Sequence, residues 1–203
     1  MKRVIFLLLC CCSIQSSFAQ DWKKNAQHFI INQDDDNTPI LDISVPKDAT
    51  LDAANNYALY EKGKSQLTIN YELDDAPNLH LKKASLDPNI DLLKYGNEIA
   101  DKILAGTLDV TITGRTVAGK VQTINGLQTL MVTYDYKRVI SGQNITETGK
   151  VVMYMIKVTG TSMTNTDAHS FIVRLKFDYQ QNGGDDLSRL GKEIISTLKK
   201  GEE

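Results

Sequence analysis

Cysteine is missing from almost the whole chain. The 203 residues contain three cysteines, which lie side by side as Cys10, Cys11 and Cys12. After residue 12 the sequence therefore offers no disulfide, no thiolate ligand for a metal and no cysteine nucleophile. A fold built from the rest of this chain has to be held together by its hydrophobic core.

Long hydrophobic runs are scarce as well. The apolar stretch Val4–Cys12 is only about half of the ~20 residues that a membrane-spanning helix needs. Lys2 and Arg3 precede it, and the small residues Ser17 and Ala19 follow it at positions −3 and −1 from Gln20. This order of charged, apolar and small residues predicts a secretory signal peptide over residues 1–19, cleaved between Ala19 and Gln20.

The three cysteines leave a lipoprotein as the alternative. Acylation after cleavage requires a small residue before the cysteine, whereas Leu9 precedes Cys10 and only cysteines precede Cys11 and Cys12. Simple cleavage at Ala19 is therefore the preferred interpretation. Both interpretations predict an exported protein, periplasmic or extracellular, and simple cleavage leaves no transmembrane anchor.

Neither sign of charge dominates. Cleavage would leave 184 of the 203 residues, and without Lys2 and Arg3 the 23 basic residues fall to 21 against 25 acidic ones, a net charge of −4. A mildly acidic chain without a clustered basic face is not expected to bind nucleic acid or an anionic membrane. Its length and its hydrophobic content of 41% predict a single soluble domain over residues 20–203.

Alternation of apolar and polar residues predicts many strands. Asn125-Gly126 stands between two alternating stretches and predicts a type I′ hairpin, because both central residues of that turn need a positive φ. The predicted strands are 27–31, 40–45, 66–73, 108–112, 121–124, 127–136, 151–158 and 171–179.

Three segments are predicted to be helical. The first is a short helix over 50–60, and the second begins at Asp87 and Pro88, carries an apolar stripe to Leu104 and stops at Gly106. The third runs from Asp185 or Asp186 to residue 200. We therefore expect an α+β fold with one antiparallel sheet flanked by helices, and a helix-grip fold is the alternative.

The usual signatures of catalysis are absent. The three histidines, His28, His80 and His169, are far apart, and the sequence contains neither H-E-x-x-H nor G-x-S-x-G. Gly63-Lys64-Ser65 lacks the first glycine of a phosphate loop. The sequence thus predicts no enzyme, no catalytic residue, no metal or cofactor site and no bound cofactor. The aromatic residues of the strands are interpreted as sheet core: Tyr71, Tyr134, Tyr136, Tyr154, Phe171, Phe177 and Tyr179.

The order of elements is similar to that of a known superfamily. A strand at Ile43-Ser44-Val45-Pro46, a middle helix, the hairpin at Ile124-Asn125-Gly126-Leu127, two further strands and a closing helix through Ile194 follow one another between residues 27 and 199. This order resembles the superfamily of PsbP, the nuclear Ran-import factor and the bacterial envelope protein DcrB. The resemblance implies an antiparallel sheet sandwiched by helices and a non-enzymatic accessory or partner-binding role.

These observations predict an exported, non-catalytic binding or accessory protein. Its partner is expected to be another protein or a small apolar ligand. The first alternative is a carrier that holds a lipid or small apolar ligand in a cavity between the sheet and the final helix. The second alternative is a hydrolase that uses dispersed acidic residues.

Overall fold

The structure, a computed structural model, describes residues 22–32, 39–74, 90–100, 110–140, 145–162, 165–181 and 186–201. Its helical elements are a 3-10 turn at Trp22–Asn25 and two α-helices, α1 (Leu92–Ile99) and α2 (Ser188–Ile195). The strands are β1 (Gln27–Asn32), β2 (Pro39–Val45), β3 (Thr50–Asp52), β4 (Tyr57–Lys62), β5 (Ser65–Asp74), β6 (Val110–Val117), β7 (Gln122–Ile124), β8 (Leu127–Ile140), β9 (Ile145–Ser162), β10 (Asn165–Gln181) and β11 (Lys199–Lys200).

These strands form two antiparallel sheets. The main sheet has eight strands in the order β3-β4-β5-β10-β9-β8-β6, with β7 paired to β8. The small sheet has three strands in the order β1-β2-β11. The chain passes between the two sheets twice, because β1 and β2 precede the strands of the main sheet and β11 follows them.

The predicted fold class is wrong. The described chain is mostly β, and its curled main sheet is accompanied by a second sheet rather than flanked by helices. Strand β2 does not join the main sheet, because it pairs with β1 on one side and β11 on the other. The helix-grip alternative is wrong for the same reason, since the small sheet and the short α2 together occupy the place of a long closing helix.

The helix predicted over 50–60 is also wrong. Strands β3 and β4 form a hairpin there, with Thr50 opposite Leu59. The Asp52 carboxylate accepts the main-chain N–H of Asn55 at 3.1 Å, and Asn56 adopts a φ of 55°. Short polar side chains that bond to their own backbone favour a turn over a helix, and this local chemistry outweighs the apolar spacing.

Helix α1 begins later than expected. Its N-cap is Asp91, whose side chain accepts the N–H groups of Leu93 at 3.0 Å and Lys94 at 3.1 Å. The predicted start at Asp87 and Pro88 and the predicted stop at Gly106 lie outside the described residues.

Helix α2 ends at Ile195 rather than at residue 200. Two contacts from other elements hold the chain in a turn after it. The Asn125 amide donates to the carbonyls of Ser196 at 3.0 Å and Leu198 at 2.8 Å, and the Thr197 Oγ1 accepts the main-chain N–H of Ser44 at 2.8 Å. The chain then pairs with β2 as β11.

The hairpin at Asn125-Gly126 is found as predicted, with φ values of 47° and 84°. The strands that follow it are longer than predicted. Strand β9 extends to Ser162 and β10 begins at Asn165, so both strands continue into the polar stretch between the predicted strands 151–158 and 171–179. Antiparallel pairing of β9 with β10 continues into this stretch, with a register shift between Asn165 and Ala168, and it satisfies polar backbone groups in a way that the alternation of side chains does not reveal.

We call the face of the main sheet that packs against the small sheet and α2 the inner face. Fully buried side chains from both sheets meet there, among them Leu67, Phe177 and Leu41. Tyr154 and Phe177 form a T-shaped pair with ring centroids 5.4 Å apart, and Ile194 closes the layer from α2. Each such side chain contributes about 1.5–3 kcal/mol through its burial.

The opposite, outer face carries a second cluster under α1. Alternate residues of β8 and β9, including Leu130 and Met153, point to this side. The helix comes close because Gly96 has no side chain, and a Cβ at that position would lie 2.1 Å from Leu130 Cδ2. The Tyr134 hydroxyl donates to the Ala100 carbonyl at 2.8 Å and so fixes the end of the helix.

Within the described part of the chain, no helix is both long and apolar enough to cross a membrane.

Candidate functional site

The only tryptophan of the chain lies in a groove of about 390 Å³ beside α2. Trp22 stands in the 3-10 turn before β1, and the groove continues over Tyr60 at the end of β4 and over Leu187 and Leu190 at the start of α2. Pro46, after β2, completes the apolar part. We call this surface the Trp22 groove.

Charged residues hold the tryptophan in place. The Trp22 Nε1–H donates to Glu193 Oε2 at 3.0 Å, and Arg189 Nε donates to the other carboxylate oxygen at 3.1 Å. The Lys23 ammonium lies 5.9 Å from the centroid of the indole ring. Residues 189 and 193 are one helical turn apart, so both side chains lie on the face of α2 that contacts the indole ring of Trp22.

This arrangement presents an ordered surface of apolar and charged groups to solvent. The indole of Trp22 is partly exposed, and the Arg189 side chain is 72% exposed. Tryptophan, tyrosine and arginine are the residues that contribute most to binding at protein interfaces. Because the ring is already fixed by Glu193, little conformational entropy remains to be lost when a partner binds.

A second, smaller cavity lies where the edges of the two sheets approach each other. This edge pocket has a volume of about 200 Å³ and lies between β1 of the small sheet and β3 of the main sheet. Phe29 and Tyr71 line it with rings that meet edge to face, 5.9 Å apart. Ile30 and Leu51, exposed by 39% and 38%, stand at its opening.

Two asparagines supply polar groups to the edge pocket. Asn56 accepts a hydrogen bond from the Tyr71 hydroxyl at 3.0 Å. Asn32 stands at the end of β1, where the pairing with β2 shifts register. Its Oδ1 is buried, and no hydrogen-bond donor among the residues that the structure describes reaches it.

His28 is the one histidine whose side chain the structure describes. Its Nδ1 lies 2.9 Å from Asp42 Oδ2, and Lys199 Nζ lies 3.3 Å from the same oxygen. A carboxylate next to a histidine orients a general base, but here the lysine shares the carboxylate and the imidazole is 59% exposed. Its cross-strand neighbour Ser44 makes no described hydrogen bond to the ring, so a nucleophile–base pair is not assembled.

On the outer face, a tyrosine and a carboxylate meet across an intervening strand. The Tyr136 hydroxyl on β8 donates to Asp178 Oδ1 on β10 at 2.7 Å. It passes over β9 at Gly149, where a Cβ would lie 2.4 Å from the tyrosine ring. Burial raises the pKa of the Asp178 carboxyl, although Tyr136 and Arg138 oppose the shift. Burial also raises the pKa of the Tyr136 hydroxyl, and Asp178 adds to it.

An ion-pair group continues the outer face toward β5. Glu72 bonds to Arg174 Nη2 at 2.7 Å and also to the Lys176 ammonium. Burial alone would raise the pKa of the Glu72 carboxyl, but the two cations outweigh it and hold that pKa below its ordinary value. The Glu72 carboxylate pairs with both cations, and we assign these groups a structural role.

A polar hollow of about 420 Å³ lies at the end of the main sheet, lined in part by Asp135 and Lys150. Lys150 Nζ is 3.9 Å from Asp135 Oδ1, and both side chains are at least half exposed. The described lining of this hollow is mostly polar, whereas ligand sites are usually lined by apolar and aromatic side chains. The Trp22 groove and the edge pocket are therefore the better candidates.

Several residues considered above as candidate ligands or catalytic groups lie outside the residues and side chains that the structure describes. They include His80, the side chain of His169, and Cys10, Cys11 and Cys12 with the rest of the predicted signal peptide. Among the described residues, no group of three or more His, Cys, Asp or Glu side chains is placed to hold a metal ion. The aromatic residues interpreted as core are buried wherever their side chains are described.

Sequence reasoning did not find the Trp22 groove. The hydrogen-bond partner of Trp22, Glu193, is 171 positions away in the sequence. The one local signal is the spacing of Arg189 and Glu193 on α2. The space between the main sheet and α2, where a carrier was expected to hold its ligand, is filled by buried side chains such as Phe177, Ile194 and Leu198.

Comparison with known proteins gives little further guidance. No known protein family and no curated protein matches the chain. Among solved structures, the chain is similar to the crystal structure of LpqN, described as involved in cell envelope biogenesis of Mycobacterium tuberculosis, at 14% identity and a TM-score of 0.47, over 91% of this chain and 96% of that one. The resemblance to the PsbP superfamily stays a prediction.

Proposed function

We propose that this chain is an exported, non-catalytic binding or accessory protein that docks a protein partner in its Trp22 groove. Export rests on the predicted signal peptide over residues 1–19, and the working domain on residues 20–203. The main observation that supports the docking site is the hydrogen-bonded network of Trp22, Glu193 and Arg189, which is already formed in a groove of about 390 Å³.

The composition of the groove indicates what its partner presents. Leu187, Leu190 and the indole of Trp22 favour an apolar side chain that inserts between them. Beside them, the guanidinium of Arg189 favours a carboxylate or main-chain carbonyl that flanks the apolar anchor. The partner is thus a protein segment with an apolar anchor next to hydrogen-bond acceptors.

Site-specific photo-crosslinking in cells that export the chain tests this proposal. A photoreactive residue replaces Asp48, which is exposed and lines the groove, and the control carries it at Thr123, exposed on β7. We expect a discrete adduct with one envelope or secreted protein from position 48 and none from position 123. Equal adducts from both positions, or none from position 48 in correctly exported protein, would overturn the docking site.

Export is tested separately by mass spectrometry of the mature N-terminus. A chain that begins at Gln20 confirms cleavage after Ala19, and an acylated cysteine identifies the lipoprotein alternative. An intact Met1 in the cell interior would contradict export in both forms.

A further inference from the structure

We propose that the edge pocket is a second, independent binding site that holds one neutral phenol-type group, with the Asn32 amide as the acceptor of its hydroxyl. This site lies between β1 and β3 and shares no lining residue with the Trp22 groove. The edge pocket can therefore be tested independently of the proposed docking of a partner.

The size and lining of the pocket define the ligand. Its volume of about 200 Å³ accommodates one ring, since an apolar cavity of ~150 Å³ is known to hold benzene. Phe29 and Tyr71 stand edge to face, an arrangement that a third ring extends favourably. Among the described lining residues only His28 and the Tyr71 phenol are ionisable, and the His28 ring already faces the Asp42 carboxylate, so a charged ligand would lose hydration without a free ion partner.

The Asn32 amide is the reason why the proposed ligand carries a hydroxyl group. A buried acceptor without a donor is costly, and Asn32 Oδ1 is in that condition among the described residues. The terminal amide of asparagine turns easily about χ2, so a hydroxyl that enters beside it draws Oδ1 toward the pocket. The Asn56 Oδ1 already accepts the Tyr71 hydroxyl, whereas Asn32 Oδ1 has no donor among the described residues, so Asn32 gains more from a ligand hydroxyl.

The test is an NMR titration of the purified chain with phenol and with benzene. We expect both probes to shift the amide signals of Ile30, Leu51 and Tyr71, and phenol to bind about fivefold more tightly, the effect of one hydrogen bond of ~1 kcal/mol. Shifts that map elsewhere, or equal affinities for phenol and benzene, would overturn the site or the role of its acceptor, respectively.

Variants at position 32 separate the acceptor from the cavity. Asn32→Leu should keep benzene binding and lose the preference for phenol, whereas Asn32→Asp keeps an acceptor and should retain that preference. Asn97→Leu, on the exposed side of α1, is the matched control and should behave as the parent chain. A preference for phenol that persists in a folded Asn32→Leu protein contradicts the proposal.

The phenol group has two natural sources, a free small molecule or a tyrosine side chain. N-acetyltyrosinamide and N-acetylphenylalaninamide distinguish them in the same titration. Tighter binding of the tyrosine amide than of the phenylalanine amide supports a tyrosine of a protein segment. Binding of phenol without either amide supports a free molecule.

Discussion

The two faces of the main sheet are covered in different ways. The inner face meets the small sheet and α2 in one continuous apolar layer, and among the residues that the structure describes this layer contains more than twice as many buried core residues as the outer cluster under α1. The outer face mixes that smaller cluster with buried polar groups, the pair of Tyr136 and Asp178 and the ion pairs of Glu72. The contrast indicates that the inner layer holds the fold, while the outer face adds interactions that depend on hydrogen bonding and pH.

The largest loss of stability is expected from the inner face. Phe177→Ala removes a fully buried ring that contacts Tyr154, and the free energy of unfolding should fall by about 3–5 kcal/mol. Urea denaturation measures this loss. A decrease below ~1 kcal/mol would show that the inner layer does not carry the fold.

Adding a methyl group to the inner face should be the next most harmful change. A Cβ on Gly191 would lie 1.9 Å from the Tyr179 hydroxyl, so Gly191→Ala forces a buried ring to move and should cost about 1–3 kcal/mol. Gly119→Ala is the control, because a Cβ there meets nothing within 4 Å. Equal stability of the two variants in thermal unfolding would argue against close packing of α2 on β10.

The outer face should show a dependence on pH. The pKa of Asp178 is raised in the folded state above its ordinary value of 3.8, so its contribution to stability is complete below that value and is lost as the pH rises through the folded pKa. Asp178→Asn keeps an acceptor for Tyr136 and stays neutral. Its stability relative to the parent chain should therefore increase between pH 4 and pH 8.

Urea denaturation at pH 4, 6 and 8 checks this expectation. Asp135→Asn, at a carboxyl that is 58% exposed, is the matched control. A stability difference between Asp178→Asn and the parent chain that is constant with pH would show that the buried carboxylate does not carry the effect.

The hairpin was predictable from sequence because its signal is local. Asn125-Gly126 needs two positive φ values, and those residues supply them without help from the rest of the fold. The ends of the helices were not predictable in the same way. Helix α2 stops at Ile195 because Asn125 and Ser44, far away in sequence, bind the chain that follows it.

The second sheet was missed for a similar reason. The alternation in β2 correctly indicates a strand, but it does not say which strands pair with it, and β11 contributes only Lys199 and Lys200. The Trp22 groove depends on the same long-range assembly, because it brings Trp22, Tyr60 and Arg189 together from three distant segments. A single sequence contains no signal that these three segments meet.

The smallest effect on stability is expected at the groove. Arg189→Ala removes a side chain that is 72% exposed, and its exposed ion pair with Glu193 contributes at most about 1 kcal/mol. Yet this residue should matter for docking, because arginine in such a position contributes strongly to interfaces. Arg189→Ala should therefore weaken partner binding while it leaves the stability nearly unchanged, whereas Phe177→Ala lowers the stability.

The most direct test of this account combines both readouts in the chain that carries the photoreactive residue at position 48. With Arg189→Ala added, we predict nearly unchanged unfolding and a loss of most of the crosslinked adduct. With Tyr136→Phe added, we predict lower stability, because Asp178 loses its donor, and an adduct at the parent level per folded molecule. An adduct that survives Arg189→Ala, or that falls only in proportion to stability in both variants, would contradict docking at the Trp22 groove.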